Sequence, residues 1–186
     1  REMGFIISGS GYKVVKVCGR NIAVMVGDDL SHLHELDKEA DFVVSINSRR
    51  YGKGLLTYRY ETMRRLTYTE CRNKIMINQV GGSSDLVYDG TSGVMNKEGK
   101  VELMMKSFEE DFSIFDSSVP HTEVVVPYTT YNDRTRMIYK AACLGLRDFF
   151  HKSGYTKACV GLSGGIDSSV VACLAVGALG AENVRG

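Results

Sequence analysis

The stretch Ser163-Gly164-Gly165-Ile166-Asp167-Ser168 constrains the fold of this chain more than any other. A short apolar run, residues 158–162, precedes it, and an apolar segment, residues 169–176, follows it. This order predicts a strand, a tight glycine turn and a helix. A strand that leads into a helix N-terminus presents free backbone N–H groups, which form a ready anion site.

The side chains of this stretch favour a phosphate ligand. Gly164 and Gly165 allow close approach to the backbone, and the hydroxyls of Ser163 and Ser168 can donate to phosphate oxygens. A carboxylate beside a phosphate repels it unless a cation lies between them, so Asp167 indicates Mg²⁺ as well. A serine-rich N-cap explains Ser-Gly-Gly alone equally well, but the full run exceeds what capping needs. The run is neither a Walker A loop nor a dinucleotide fingerprint.

The pattern Ser-Gly-Gly-x-Asp-Ser resembles the pyrophosphate loop (PP-loop) of the ATP pyrophosphatases, which adenylate a carboxylate and release pyrophosphate. Residues 144–150, 161–168 and 178–184 resemble the glutamine-dependent NAD⁺ synthetases more closely, and this likeness covers about residues 133–186. It implies a ligase of NAD⁺ biosynthesis that uses ATP and Mg²⁺ to amidate nicotinate adenine dinucleotide with ammonia, released from glutamine in family members. It also implies Asp167 as a metal ligand and ATP-binding residues at Gly161, Ser163, Gly164, Gly165, Ile166, Asp167 and Ser168.

The front of the chain resembles a different enzyme class. Residues 78–90, Asn-Gln-Val-Gly-Gly through Tyr-Asp-Gly, are similar to the later part of a nitrilase-type amidohydrolase, with the likeness running over about residues 5–110. The resemblance implies an α/β fold. A partial nitrilase-like α-β-β-α sandwich would occupy residues 1–125, and the first strand, loop and helix of a Rossmann-like parallel-sheet domain would occupy residues 126–186.

The nucleophile of that front domain is missing. The family uses a Glu–Lys–Cys constellation, and Gly27 stands where its cysteine should be. Glycine has no side chain to form a thioester, so no intact catalytic residue is predicted and free ammonia becomes the expected nitrogen source. Cys18, in a hairpin turn, does not replace the nucleophile. Whether Gly27 is natural or engineered stays open, although the altered loop described next favours the natural origin.

A second departure lies in residues 46–53, where relatives carry a small-residue loop that holds glutamine. Here Arg49 and Arg50 are bulky and charged. We therefore expect that glutamine is not bound in the usual way.

Local patterns predict the remaining elements. Residues 12–17 and 21–26 form a hairpin, Asp28 and Asp29 cap a short helix over 30–40, and a helix spans 55–73. In the helix over 55–73 the tyrosines pack inward, while Arg59, Arg64 and Arg65 form a solvated basic face. The Gly81-Gly82 pair ends a strand over 75–80, and a helix over 133–153 ends at Gly154. Further strands are expected at 42–46, 86–88, 93–95, 101–105 and 124–126.

Composition limits the binding partners and the cellular compartment that we expect for the protein. The chain has 186 residues and a net charge of +1, which gives no bulk attraction to nucleic acid or membrane. Five cysteines without a C-x-x-C spacing favour reduced thiols of a cytoplasmic protein. The longest apolar stretch, residues 170–179, is about half of a membrane span. We expect a fragment of a larger, homo-oligomeric cytoplasmic protein.

Two alternatives remain. Another PP-loop adenylating enzyme, such as a GMP synthetase, an asparagine synthetase or a tRNA-modifying enzyme, would share Ser163 to Ser168. A catalytically incomplete scaffold, with the front domain serving oligomer contacts, would share both departures.

Overall fold

The computed structural model describes residues 12–27, 40–69, 72–126 and 131–186. These residues form a mixed α/β fold, which confirms the predicted class. The strands are β1 Lys13–Val17, β2 Arg20–Val26, β3 Phe42–Asn47, β4 Asn73–Asn78, β5 Val80–Ser83, β6 Leu86–Asp89, β7 Gly93–Met95, β8 Val101–Met104, β9 Ala158–Cys159 and β10 Val184–Arg185. The helices are α1 Leu55–Thr69, α2 Tyr131–Lys152 and α3 Ile166–Leu179. None of them is long and apolar enough to cross a membrane.

A six-stranded sheet organises the front of the chain, in the order β1-β2-β3-β4-β7-β8. Strands β2, β3 and β4 are parallel, and the other neighbours pair antiparallel. Side chains alternate across the sheet, so that Val43 and Met76 are buried while Ile46 and Ile77 are exposed on the other face. Because β2, β3 and β4 run in the same direction, their three carboxyl ends meet at one edge of the sheet.

Helix α1 covers the buried face of this sheet. Its predicted stripe of Leu56, Tyr60, Met63 and Thr67 is confirmed, since each side chain is at most 5% exposed. Burying a large apolar side chain contributes about 1.5–3 kcal/mol, so this stripe stabilises the front core substantially.

The same helix differs from the prediction in two respects. It ends at Thr69, and Asn73 already belongs to β4, so the expected extension to residue 73 is wrong. Arg59 is buried rather than solvated, whereas Tyr58 is exposed. Arg59 points inward because it forms an ion pair with the buried carboxylate of Asp89 on β6.

The glycine pair Gly81-Gly82 was expected to end a strand, but it forms strand β5, paired with β6. The reason is the close approach of α2. A Cβ at Gly82 would lie 3.1 Å from the Cα of Gly145 on α2. Asp148 accepts a 2.7 Å hydrogen bond from the Gly82 N–H, and Lys152 donates to the Gly82 carbonyl. Two glycines thus let the helix lie directly on the hairpin.

Behind α2 the chain forms a strand–helix–strand unit. Gly154 (φ +74°) follows the helix as predicted, and β9, α3 and β10 come next with the two strands parallel. Helix α3 packs against α2, where Cys143 Sγ lies 3.7 Å from the Leu174 carbonyl. The end of this small sheet carries the serine and glycine loop.

The predicted hairpin of β1 and β2 and the predicted strands β3, β6, β7 and β8 are confirmed. The strand expected at 124–126 is absent from the described chain. Val124 instead donates a single 2.7 Å backbone hydrogen bond to Val101, outside any ladder. The helix predicted over 30–40 and its caps Asp28 and Asp29 lie outside the described residues, apart from Ala40, which is in no helix.

We predict that Gly82→Ala weakens the packing of α2 on β5. The added methyl would press on the backbone of Gly145, and overpacking of this kind costs about 1–3 kcal/mol. Urea denaturation of the complete chain measures the loss. Gly161→Ala is the matched control, because a Cβ there meets nothing within 4 Å. Equal stability of the two variants would contradict the close contact.

Candidate functional site

The serine and glycine loop joins the end of β9 to the start of α3. Gly164 has φ +82°, a conformation that glycine adopts without strain. Gly165 is the N-cap of α3 and provides no side-chain hydrogen bond to the helix. The N–H groups of the first helical turn are therefore not capped by a side chain and face solvent, as an anion site requires.

The hydroxyls of this loop hold it in shape. Ser168 Oγ lies 3.2 Å from Ser163 Oγ and donates to the Gly165 carbonyl at 3.0 Å. Ser169 donates to the same carbonyl at 2.9 Å, and the Gly165 N–H donates to Ser163 Oγ at 3.4 Å. The structure thus brings the predicted serines together on an exposed surface. Ser163 accepts only from the N–H of the N-cap residue Gly165, and no hydroxyl of the described loop caps an N–H of the first turn of α3.

Asp167 lies in the first turn of α3, on the exposed surface of the loop. Within the described part of the chain no three His, Cys, Asp or Glu residues cluster as a metal site. A cation here would therefore need most of its oxygen ligands from the bound molecule, which is the usual arrangement for Mg²⁺ with phosphates.

A second site lies at the edge where the parallel strands β2, β3 and β4 end. Gly27 follows β2 there with φ +60°, and a Cβ on it would meet nothing within 4 Å. A cavity of about 620 Å³ opens beside Gly27. Ligands commonly bind outside the carboxyl ends of parallel strands, so the position and size of this cavity suit a small molecule.

Arg49 reaches across to Gly27 from the end of β3. Its Nη2 donates to the Gly27 carbonyl at 3.2 Å, and its Nε donates to Asn47 Oδ1 at 3.3 Å. Its backbone is fixed by Asn78, which accepts the Arg49 N–H at 2.8 Å. The guanidinium therefore lies beside the position at which the resemblance predicts a nucleophile.

A buried ion pair supports this edge from below. Arg59 is 5% exposed, and its Nη2 lies 2.5 Å from Oδ2 of the fully buried Asp89. Asn78 Nδ2 donates to Asp89 Oδ1 at 3.3 Å, which joins the pair to Arg49. Burial raises the pKa of Asp89, while the charge of Arg59 opposes that shift. One atom of the pair, Arg59 Nε, is buried without a hydrogen-bond partner.

Known proteins similar to this chain point to one family. Residues 138–186 match the NAD synthase family model. A glutamine-dependent NAD(+) synthetase of Synechocystis is 35% identical over 157 residues, which are 81% of this chain and 27% of that protein. The corresponding Acinetobacter baylyi enzyme is 29% identical over 190 residues, covering 99% and 35%.

A solved structure agrees. The glutamine-dependent NAD⁺ synthetase of Acinetobacter baumannii, in complex with adenosine diphosphate, superposes with a TM-score of 0.83 at 32% identity, over 97% of this chain and 35% of that one. The chain is related to the glutamine-dependent NAD⁺ synthetases. The predicted resemblance is thereby confirmed, and the chain spans about a third of the length of the relatives it matches.

The sequence of this NAD⁺ synthetase relative predicts the serine and glycine loop. It does not predict the polar network of Arg59, Asp89 and Asn78 at the carboxyl edge of the six-stranded sheet. In the sequence, Asn78 and Asp89 stand out only as parts of the 78–90 motif, and the pattern of α1 predicts Arg59 on a solvated face. A signal was available for Asn78, because burial alternates along β4 and Asn78 ends that strand in the buried phase, whereas β6 shows no such alternation before Asp89. A polar residue in an inward phase predicts a buried partner.

We predict that Asp89→Ala destabilises the protein by about 3–5 kcal/mol, because it leaves the Arg59 charge buried and uncompensated. Urea denaturation of the full chain measures the change. The double variant Arg59→Met/Asp89→Leu should recover most of it, and exposed Asp85→Ala should stay within about 0.5 kcal/mol. A small loss for Asp89→Ala would mean that the pair does not stabilise this edge.

Proposed function

We propose that the chain belongs to a ligase that completes NAD⁺ synthesis. ATP adenylates the carboxylate of nicotinate adenine dinucleotide, and pyrophosphate leaves. Ammonia then attacks the acyl adenylate, which yields the amide NAD⁺ and AMP. The observation that carries this proposal is the exposed loop between β9 and α3, within the segment that matches the NAD synthase model.

In this proposal the loop binds the phosphates of ATP. Gly161, Gly164 and Gly165 leave room for the ligand to approach the backbone, and the N–H of Ile166 and its neighbours in the first turn face the phosphate oxygens. The Ser163 and Ser168 hydroxyls donate to the same oxygens. The backbone N–H donors, which are already fixed in place, stabilise the charge of the leaving pyrophosphate without reorganisation.

Binding requires an exchange of hydrogen bonds. The Ser168 hydroxyl has one proton, which it now donates to the Gly165 carbonyl, so it must turn toward the phosphate when ATP arrives. Ser169 still bonds to the same carbonyl, which therefore keeps one of its partners. The change replaces a neutral hydrogen bond by a stronger, charge-assisted one.

Asp167 is the proposed Mg²⁺ ligand of the site. Mg²⁺, when bound, would supply charge neutralisation between the Asp167 carboxylate and the phosphates. The residue fits this role because it is exposed beside the loop and its carboxylate oxygens suit a hard cation.

We predict that Asp167→Ala abolishes the Mg²⁺-dependent rise in melting temperature caused by ATP in the complete protein. Without the carboxylate the metal–phosphate complex loses its protein ligand, whereas the melting temperature without ATP should change little because Asp167 is exposed. Glu182→Ala, an exposed acid beyond the other end of α3, is the control and should keep the ATP effect. An unchanged ATP effect in Asp167→Ala would remove Asp167 from the site.

We also propose that Gly27 marks a glutaminase that has lost its nucleophile, so that the ligase uses free ammonia or ammonia delivered by another protein. Relatives of this chain bear glutamine dependence in their names. The absence of a side chain at residue 27 and the arginine beside it support the different nitrogen source for this chain.

The deciding experiment measures NAD⁺ formation by the complete protein from nicotinate adenine dinucleotide, ATP and Mg²⁺. Ammonium should support the reaction and glutamine should not. Equal activity with glutamine would mean that Gly27 is not at the nucleophile position. Failure with both nitrogen sources would overturn the ligase proposal and favour a scaffold or a different adenylating enzyme.

Three broader expectations accompany this function. We propose a division of the chain near residue 125, with α2 belonging to the second domain although it lies against the β5–β6 hairpin of the first. We also propose a homo-oligomer that works in the cytoplasm.

A further inference from the structure

We propose that Arg185, at the end of β10, is a further phosphate-binding residue of the loop between β9 and α3. Its guanidinium binds the pyrophosphate part of ATP, which is the part that leaves in the reaction. This inference rests on the proposed function and adds to it a protein cation, which the residues of the loop do not supply.

The segment that carries the loop has no positive side chain of its own. Residues 158–184 contain two acids, Asp167 and Glu182, and no Lys, Arg or His. Asp167 lies in the first turn of α3 and brings a negative charge to the site itself. A polyphosphate together with this carboxylate carries more negative charge than one Mg²⁺ ion and one helix N-terminus offset. A cationic side chain beside the loop would balance the remainder.

Strand pairing brings Arg185 to the edge of the sheet at which the loop starts. Strands β9 and β10 are parallel and place Arg185 beside Cys159, so their carboxyl ends lie together. The Val160 N–H donates to the Arg185 carbonyl at 2.8 Å, which fixes the arginine backbone against the start of the loop. Gly186 also touches the loop, since a Cβ on it would lie 2.6 Å from Leu162 Cδ1. Ligands commonly bind outside this edge of a parallel sheet.

The side chain of Arg185 is accessible to a ligand. It is exposed, as is Cys159 beside it, whereas Ala158 and Val184 on the opposite face are half-buried. Its guanidinium is in no ion pair with another described residue. A guanidinium binds two phosphate oxygens through parallel, charge-assisted hydrogen bonds, which are stronger than neutral ones.

Lys157 is the matched comparison within the same unit. Lys157 and Arg185 are the two basic residues of the sequence from 153 to 186. Both are exposed, but Lys157 directly precedes β9 and therefore lies at the amino end of that strand. The loop starts from the carboxyl end. The direction of the strand thus favours Arg185 over Lys157 as the cation of the phosphate site.

Calorimetric titration of the complete protein with ATP and Mg²⁺ tests the proposal. Arg185→Gln should weaken binding about tenfold or more, because it removes a pair of charge-assisted hydrogen bonds. Arg185→Lys keeps the charge without the paired geometry and should have an intermediate affinity. Lys157→Gln is the control and should bind as tightly as the unaltered protein. Unchanged affinity in Arg185→Gln would overturn the assignment.

Titration with pyrophosphate and Mg²⁺ shows which part of ATP the residue binds. Arg185→Gln should weaken pyrophosphate binding by the same factor as ATP binding. Unchanged pyrophosphate affinity would place Arg185 at another part of the nucleotide and overturn the proposal. The melting temperature without ligand should stay the same, because the side chain is exposed. A fall of several degrees would mean that Arg185 supports the fold instead, and would also overturn the assignment.

The outcomes separate this inference from the proposed function. If the unaltered protein and Arg185→Gln bind ATP equally well, the ligase proposal stands and only Arg185 is removed from the site. If the unaltered protein does not bind ATP, the phosphate site itself is wrong, and the role of Arg185 is overturned with it.

Discussion

The ion pair between Arg59 and Asp89 is the interaction on which the front of the molecule depends. It links α1 to the end of β6, and Asn78 extends it to the loop after β3. Two charges at 5% and 0% exposure repay their desolvation only in a fixed geometry with further hydrogen bonds. Polar contacts therefore hold the carboxyl edge of the sheet in place. They also position Arg49 beside Gly27, because Asn78 accepts the Arg49 N–H.

The rear of the molecule depends on a different constraint, the absence of side chains where α2 crosses β5. Gly82 and Gly145 allow the helix and the strand to come into contact. Asp148 then accepts from the Gly82 N–H, and Lys152 donates to the Gly82 carbonyl. Helix α2 in turn supports α3, whose first turn forms the proposed phosphate site. The close contact between Gly82 and Gly145 thus determines where the loop between β9 and α3 lies relative to the β5–β6 hairpin.

Sequence patterns predicted those features that depend on neighbours along the chain. The stripe of α1, the hairpin of β1 and β2, and the order strand–loop–helix around Ser163 each follow from local periodicity or turn chemistry. The burial of Arg59 did not follow, because its partner Asp89 is 30 residues away. The strand at Gly81-Gly82 was missed for the same reason, since its contact with Asp148 spans 66 residues. The hydroxyl contacts within the loop could not be predicted either, because a serine hydroxyl can bond to any of several nearby backbone groups and the sequence does not select among them.

Gly27 combines a chemical and a conformational consequence. Its φ of +60° is strained for any residue with a Cβ, at a cost of order 1–3 kcal/mol, although the surrounding space would accept a side chain. A nucleophile at this position would have to bear that strain for the sake of its chemistry. Glycine avoids that strain, and the Gly27 carbonyl accepts a hydrogen bond from Arg49. The end of β2 is thereby joined to the loop after β3 without any side chain at residue 27.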